Sequence, residues 1–273
     1  MIPEEIIKNG LVLLGCGKMG GAMLEGWLRD GLPVGSVHVL DPYPSERLKE
    51  LALSGLGLNG DIPDAPAICI IAVKPQMMAE ALPRLIAIGS RSTVYLSIAA
   101  GTSLKSFEDV LGANAAIVRA MPNTPASIGK GITALVGNAN ATPAMMHICE
   151  ALLLAIGQTV RLDNEHQMDA VTALSGSGPA YVFHLIETMA NAGMAEGLPA
   201  EMALKLATAT VAGAGLLAQQ SDDDPTQLRI NVTSPEGTTA AALRVMMDPK
   251  TGFPDVVGRG IAAAAARSRV LRD

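Results

Sequence analysis

Aromatic side chains are nearly missing from this chain of 273 residues: one Trp, three Tyr and three Phe make up 3%. A core without large rings has to be tight, aliphatic and lined by alanine, which suits closely packed helices. Cysteine is scarce too. Cys16, Cys69 and Cys149 include no C-x-x-C pair, which excludes a disulfide framework and fits a reducing cytoplasm. Positive charge is in deficit. The 20 Lys and Arg against 26 Asp and Glu leave a net charge of −6, which argues against a nucleic acid partner, since that would favour a basic face. No uninterrupted run approaches the ~20 apolar residues of a membrane span, so no membrane is expected as a partner. Met1 to Lys8 is acidic and lacks a long apolar stretch, so no signal peptide is expected. The four histidines, His38, His147, His166 and His184, show no metal-ligand spacing, and G-x-S-x-G, H-E-x-x-H and P-loop lysine motifs are absent. Metal-dependent and serine-nucleophile chemistry are therefore not expected.

What is present is organised around Leu11-Val-Leu-Leu-Gly-Cys-Gly-Lys-Met-Gly-Gly21. An apolar run enters Gly15-Cys16-Gly17-Lys18-Met19-Gly20, a G-x-G-x-x-G spacing, and Ala22 to Leu28 follows with the apolar face of a helix. Strand, glycine turn and helix is the context this motif requires. The first glycine permits the turn, the second lets backbone approach a pyrophosphate, and the third lets helix pack on strand. Unpaired N–H groups at the helix start then face the phosphates. The segment predicts a dinucleotide site.

Val37 to Asp41 reads as a second strand and Glu46 to Leu53 as a short helix. Asp41 stands at that strand's end, where an acid bonds the ribose hydroxyls of NAD and repels the 2′-phosphate of NADP. Ser45 and Arg47 are close enough in sequence to bind such a phosphate, and Asp41 is also an ordinary residue to open a turn before Pro42. This segment does not choose between the two cofactors. Ala67 to Val73 is a continuous β-branched run, the pattern of a strand buried on both faces of a parallel sheet. Lys74 and Pro75 follow at its carboxyl end, where open α/β sheets place ligands. Gln76 to Ile88 predicts a helix, with Pro83 as a break or kink. Thr93 to Ile98 predicts a strand ending in Ala99, Ala100 and Gly101, small enough for close approach of a ligand. Ala115 to Ala120 predicts another, leading to Met121-Pro-Asn-Thr-Pro125, where Asn123 offers a carboxamide to a ribose or amide, or simply makes the turn. Gly131 to Gly137, a helix near Pro143 to Ala155, and Thr159 to Leu162 complete the sheet. Strands alternating with helices make one doubly wound, Rossmann-type α/β domain over residues 1–163.

Residues 164–273 read as all-helical. Met168 to Leu174 predicts a short helix, Ser175-Gly-Ser-Gly-Pro179 punctuates, and Ala180 to Met194 and Ala200 to Gln219 are long alanine-rich helices. Such helices pack on each other or on a partner chain. Thr233-Ser-Pro-Glu-Gly-Thr-Thr239 then opens a further helix. This turn is a ready anion site, but its residues alone favour simple capping by Ser or Thr.

Taken together, Gly15 to Gly20, Ala72-Val-Lys-Pro-Gln76, Ser97-Ile-Ala-Ala-Gly101, Met121-Pro-Asn-Thr-Pro125, Leu174-Ser-Gly-Ser-Gly-Pro-Ala-Tyr181 and Val232-Thr-Ser-Pro-Glu-Gly-Thr-Thr239 resemble the pyrroline-5-carboxylate reductase family along nearly the whole chain. The resemblance implies the last step of proline biosynthesis: a hydride passes from NADPH, or alternatively NADH, to the cyclic C=N of 1-pyrroline-5-carboxylate, giving L-proline. It implies that Gly15, Cys16, Gly17, Lys18, Met19, Gly20, Asn59, Val73, Lys74, Pro75, Ile98, Ala99 and Ala100 line the cofactor, with Asn231 completing that site. Asp41 and Asn123 join them as candidates from their strand-end positions. It implies Glu165, Thr238 and Thr239 at the substrate, with Ser234 and Gly237 beside them, and Thr239 as the catalytic hydroxyl toward the ring nitrogen. It further implies that the helical domain, 164–273, binds substrate and makes a homodimer, or a larger assembly of dimers, with each active site built from two chains. Two positions depart from the family: Glu236 stands where Gly is more frequent, and Ile230 where Asp is. A rival β-hydroxyacid dehydrogenase would need a lysine base early in the helical half. Lys205 is the only lysine between Glu165 and Arg229, and it lies within an alanine-rich helix.

Overall fold

The computed structural model describes residues 2–86 and 92–272, and of Pro75 the backbone only. Two compact units emerge. The first comprises Met1–Gly176 together with Ala265–Asp273, the second Ser177–Ala264. The change of pattern at 163/164 thus lies inside the first unit, which also takes back the end of the chain.

In the first unit α1 (Glu4–Asn9) precedes β1 (Leu11–Leu14), α2 (Lys18–Arg29), β2 (Val37–Leu40), α3 (Glu46–Leu53), β3 (Gly57–Leu58) and β4 (Ile68–Ile71). Two short helices follow, α4 (Met78–Ala81) and α5 (Pro83–Ile86), then β5 (Val94–Ser97), α6 (Leu104–Leu111), β6 (Ala116–Met121), β7 (Gly131–Gly137), α7 (Pro143–Leu153), β8 (Gly157–Arg161) and α8 (Met168–Val171). The helix expected over Gln76–Ile88 is divided. Pro75–Met77 is a 3-10 turn, and Pro83, which has no N–H to donate, starts α5 instead of continuing α4. Its expected end at Ile88 lies outside the described residues. The helix expected over Met168–Leu174 changes character after Val171, where Thr172–Gly176 widens into a π turn.

The sheet runs β3-β2-β1-β4-β5-β6-β7-β8. Its first six strands are parallel, with the order reversing between β1 and β4. β6 and β7 pair antiparallel, because the short Pro122–Lys130 link leaves no room for the crossover that a parallel pair needs. The central strands are buried on both faces, which is why they read as unbroken apolar runs. Leu11 and Leu13 pack with Met23, Leu24 and Trp27 on one face, whereas Val12 and Leu14 pack with Leu85 and Phe107 on the other. The Trp27 indole, fully buried, donates to the Leu152 carbonyl at 2.9 Å.

The second unit holds α9 (Gly178–Ala195), α10 (Ala200–Gln220), α11 (Pro225–Asn231), α12 (Thr238–Met246) and the start of α13 (Phe253–Leu271). Its buried apolar core among the described residues is three alanines, Ala190, Ala203 and Ala207, with Ile186 and Met189 against them. Phe183, Leu204, Leu206, Leu217, Val245 and Val256 are at least half exposed. Among the described residues only α10 is long and apolar enough, by length and composition, to cross a membrane, although it carries Glu201 and Lys205.

Candidate active site

The loop between β1 and α2 has the three glycines in three different surroundings. Gly15 takes φ +85°, and a Cβ there would lie 2.8 Å from Val73 Cγ1 and 3.0 Å from the Ala72 carbonyl. A Cβ on Gly20 would meet the Gly15 carbonyl at 2.5 Å, so strand and helix close only around glycine. Gly17 is the N-cap of α2, and around its Cβ position nothing lies within 4 Å. No side chain caps the helix. The first N–H groups of α2 therefore have no side-chain cap at the carboxyl end of the sheet, with the helix dipole behind them. A dinucleotide pyrophosphate fits this cradle. The Cys16 thiol is pushed up to about 12, chiefly by burial and further by Asp41 and Glu25, so it stays neutral within the glycine loop.

Both carboxylate oxygens of Asp41 take backbone N–H groups. Its Oδ2 accepts the Cys16 N–H at 2.7 Å and its Oδ1 the Tyr43 N–H at 2.8 Å. The carboxylate thus opens the turn before Pro42 and ties that turn to the glycine loop. Asn59, at φ +54°, locks the same corner: its Oδ1 accepts from the Asp41 N–H and its Nδ2 donates to the Asp41 carbonyl. Ser45 caps α3 by accepting from Leu48 N–H. Arg47 grips Glu25 through Nε at 2.7 Å. Beside this corner a cavity of about 460 Å³ is lined by Leu14, Leu40, Pro42, Val73, Met77, Glu80, Ala81 and Arg84, an apolar slot with two charged side chains at its edge.

At the neighbouring strand ends, Val73 and Lys74 follow β4, with Lys74 exposed, and Ile98, Ala99 and Ala100 follow β5. The Asn123 carboxamide braces its turn, accepting from Ile132 N–H at 3.0 Å and donating to the Ser175 carbonyl in the π turn at 3.2 Å. Two side-chain networks went unnoticed in the sequence. Arg119, 3% exposed on β6, donates to Glu165 Oε1 at 2.8 Å. The same oxygen accepts the Leu104 N–H at the start of α6. Four residues on, buried Asp169 accepts from Ser268 at 2.8 Å and Arg272 at 3.0 Å, holding the last turns of α13. The available signal was an arginine inside an otherwise apolar strand.

In the helical unit the turn before α12 is built like the glycine loop. Gly237 is the N-cap, and no side chain caps α12. The Ser or Thr cap that the residues alone favour does not form. Side chains of Ser45, Ser103, Thr142 and Asp224 close α3, α6, α7 and α11, whereas α2 and α12, with glycine as N-cap, have no side-chain cap, as is also the case for α1, α4, α8, α9 and α10. Ser234 Oγ lies 2.4 Å from where a Gly237 Cβ would stand, which leaves a hydroxyl next to free N–H groups. Glu236 adopts φ +58°, the left-handed region that favours glycine, and its side chain is exposed. Asn231 accepts from Gln227 at 2.7 Å and donates to Asp223 at 3.1 Å.

An open glycine turn at the switch point of a doubly wound sheet, next to an apolar slot, defines a dinucleotide-binding protein. The comparisons with known proteins narrow this class. The model for pyrroline-5-carboxylate reductase dimerisation matches residues 165–271, and that for NADP oxidoreductase, coenzyme F420-dependent, matches residues 10–101. A pyrroline-5-carboxylate reductase of Pseudomonas aeruginosa is 36% identical over 266 residues, 96% of this chain and 97% of the relative. That of Pisum sativum is 35% identical over 264 residues, 96% and 95% of the two chains. The structure of a pyrroline-5-carboxylate reductase from Coxiella burnetii matches with a TM-score of 0.89 at 29% identity, covering 97% of this chain and 99% of that one. A Plasmodium falciparum pyrroline carboxylate reductase with NADP bound matches at 0.81 and 27% identity, covering 97% and 98%. The chain belongs to the pyrroline-5-carboxylate reductase family.

Proposed function

We propose that the protein reduces 1-pyrroline-5-carboxylate to L-proline with NADPH, and that it does so as a cytoplasmic homodimer. The observation that carries the reading is the match to reductases of this name across both units, at 36% identity over 96% of the chain. When bound, NADPH supplies the hydride for the ring carbon of the C=N bond. The N–H groups of the Gly15–Gly20 loop and the start of α2 hold its pyrophosphate, and the slot lined by Leu14, Leu40 and Val73 takes its adenine end. Asn59 and Asp41 shape that corner from behind. Val73, Lys74 and Pro75 and the segment Ile98 to Ala100 border the nicotinamide end, with Asn123 keeping its turn in place; Asn231 is a further cofactor candidate by the resemblance.

The substrate carboxylate sits on the uncapped N–H groups of α12 and the hydroxyls of Ser234 and Thr238, with Gly237 allowing close approach. The Thr239 hydroxyl donates to the ring nitrogen, and Glu165 is a further substrate residue by the resemblance. Rate comes chiefly from holding the imine carbon and the hydride donor in a reactive pose. The homodimer is supported by the open apolar faces of the helical unit. They include a hollow of about 510 Å³ lined by Leu243, Met246, Phe253 and Val257, which a second copy covers.

Loss of NADPH absorbance on adding 1-pyrroline-5-carboxylate, with a parallel NADH cuvette and proline assayed at the end, tests the reading. The expected result is loss of NADPH matched mole for mole by L-proline. Absence of turnover with either cofactor would overturn it.

A further inference from the structure

We infer that Arg119 is the positioning residue for Glu165: it fixes one carboxylate oxygen so that the other is presented to the substrate. The inference rests on the reading that Glu165 meets the substrate. Glu165 Oε1 is held by two donors from two separate elements, Arg119 Nη1 on β6 and the Leu104 N–H at the start of α6, each at 2.8 Å. The backbone beneath is held as well, because Asn164 and Gln167 close a capping box over the Glu165–Gln167 turn. Oε2 accepts no hydrogen bond from the described residues, and the side chain is 24% exposed. One oxygen is immobilised and the other is left at an accessible edge.

The energetics point the same way. Arg119 is 3% exposed, and taking a guanidinium out of water is expensive even when it is paired. An apolar residue of similar volume commonly stabilises a fold as well or better. A buried pair kept under that handicap is accounted for by what it orients. Its place fits: Arg119 stands opposite Ser97 in the sheet register, one strand away from the segment Ile98–Ala100. Displacing a substrate-holding group by about 1 Å is enough to lower turnover about 100-fold.

The test is a double-mutant cycle on the full-length protein, with kcat and KM for 1-pyrroline-5-carboxylate and NADPH affinity by fluorescence. Arg119→Met and Glu165→Ala should each lower kcat/KM about 100-fold. The double variant should be no worse than Glu165→Ala alone, within about twofold. Arg119→Lys, which keeps the charge and one N–H, should recover at least about tenfold of the loss. NADPH affinity should stay within about twofold throughout. Losses that multiply in the double variant, or NADPH affinity that falls in step with kcat/KM, would overturn the inference. If Arg119→Met does not fold, the cycle is closed with Arg119→Lys, whose residual loss must vanish in the Glu165→Ala background; persistence there overturns it. A crippled Glu165→Ala beside a normal Arg119→Met sinks the inference alone. Normal kinetics in Glu165→Ala sink the reading of Glu165 beneath it.

Discussion

The helices that start after Gly17 and after Gly237 begin alike and are supported differently. Both have glycine as N-cap and no side-chain cap. The first stands on a sheet whose core is closed within one chain, with Leu11, Met23 and Trp27 fully buried. The second stands in a unit that buries three alanines and leaves Leu204, Leu206 and Leu217 more than half exposed. The difference teaches where each ligand depends on assembly. The glycine loop stands on a core complete within its own unit, whereas the turn before α12 stands among helices whose apolar faces are open; on the proposed reading, only the carboxylate end then depends on a second copy.

The largest effect should come from breaking the helical side alone. Leu206→Glu with Leu217→Glu puts two carboxylates on α10, and each unpaired charge buried against a second copy costs roughly 3–5 kcal/mol. Light scattering should show monomers. Turnover should fall below measurement while NADPH still binds, because its cradle belongs to the other unit. A dimeric variant with full activity would erase the contrast. Next in size is Thr239→Ala, expected to lower kcat about 100-fold, as loss of one preorganised donor does, with NADPH affinity kept. The smallest effect sharpens the comparison at the second turn. Glu236→Gly relieves a left-handed residue and should raise stability by about 0.5–1 kcal/mol in urea unfolding, whereas Glu236→Ala should bring no gain.

The same contrast governs what could be read from the sequence. β1, α2 and β4 were legible because their burial leaves a one-dimensional pattern: an apolar run, a glycine spacing, a periodic face. The bounds of α3 and β7 follow from local signals alone, with Ser45 as cap and glycine at both ends of the strand. The antiparallel turn of β7 was not legible, because strand direction depends on how much chain the connection has. For Asp41 the sequence leaves ribose ligand and turn opener both open, because it shows an acid at a strand end and not that the Cys16 and Tyr43 N–H groups reach its oxygens. The open start of α12 was hidden by the hydroxyls around it, which resemble a cap until Gly237 takes the N-cap position. Arg119, Glu165 and Leu104 come together from three distant segments, and no spacing announces such a meeting.

The most direct test of the central claim, that the two glycine-capped helices hold two different ligands, is a crossed measurement on Gly17→Ala and Gly237→Ala. NADPH affinity and the KM for 1-pyrroline-5-carboxylate are measured on both. The Gly17 methyl enters the phosphate cradle and should weaken NADPH at least about tenfold with KM for the imine little changed. The Gly237 methyl drives into Ser234 Oγ and should raise KM for the imine by a similar factor, about tenfold, with NADPH affinity kept. Equal losses of both ligands in either variant, or no loss in one of them, would contradict the account.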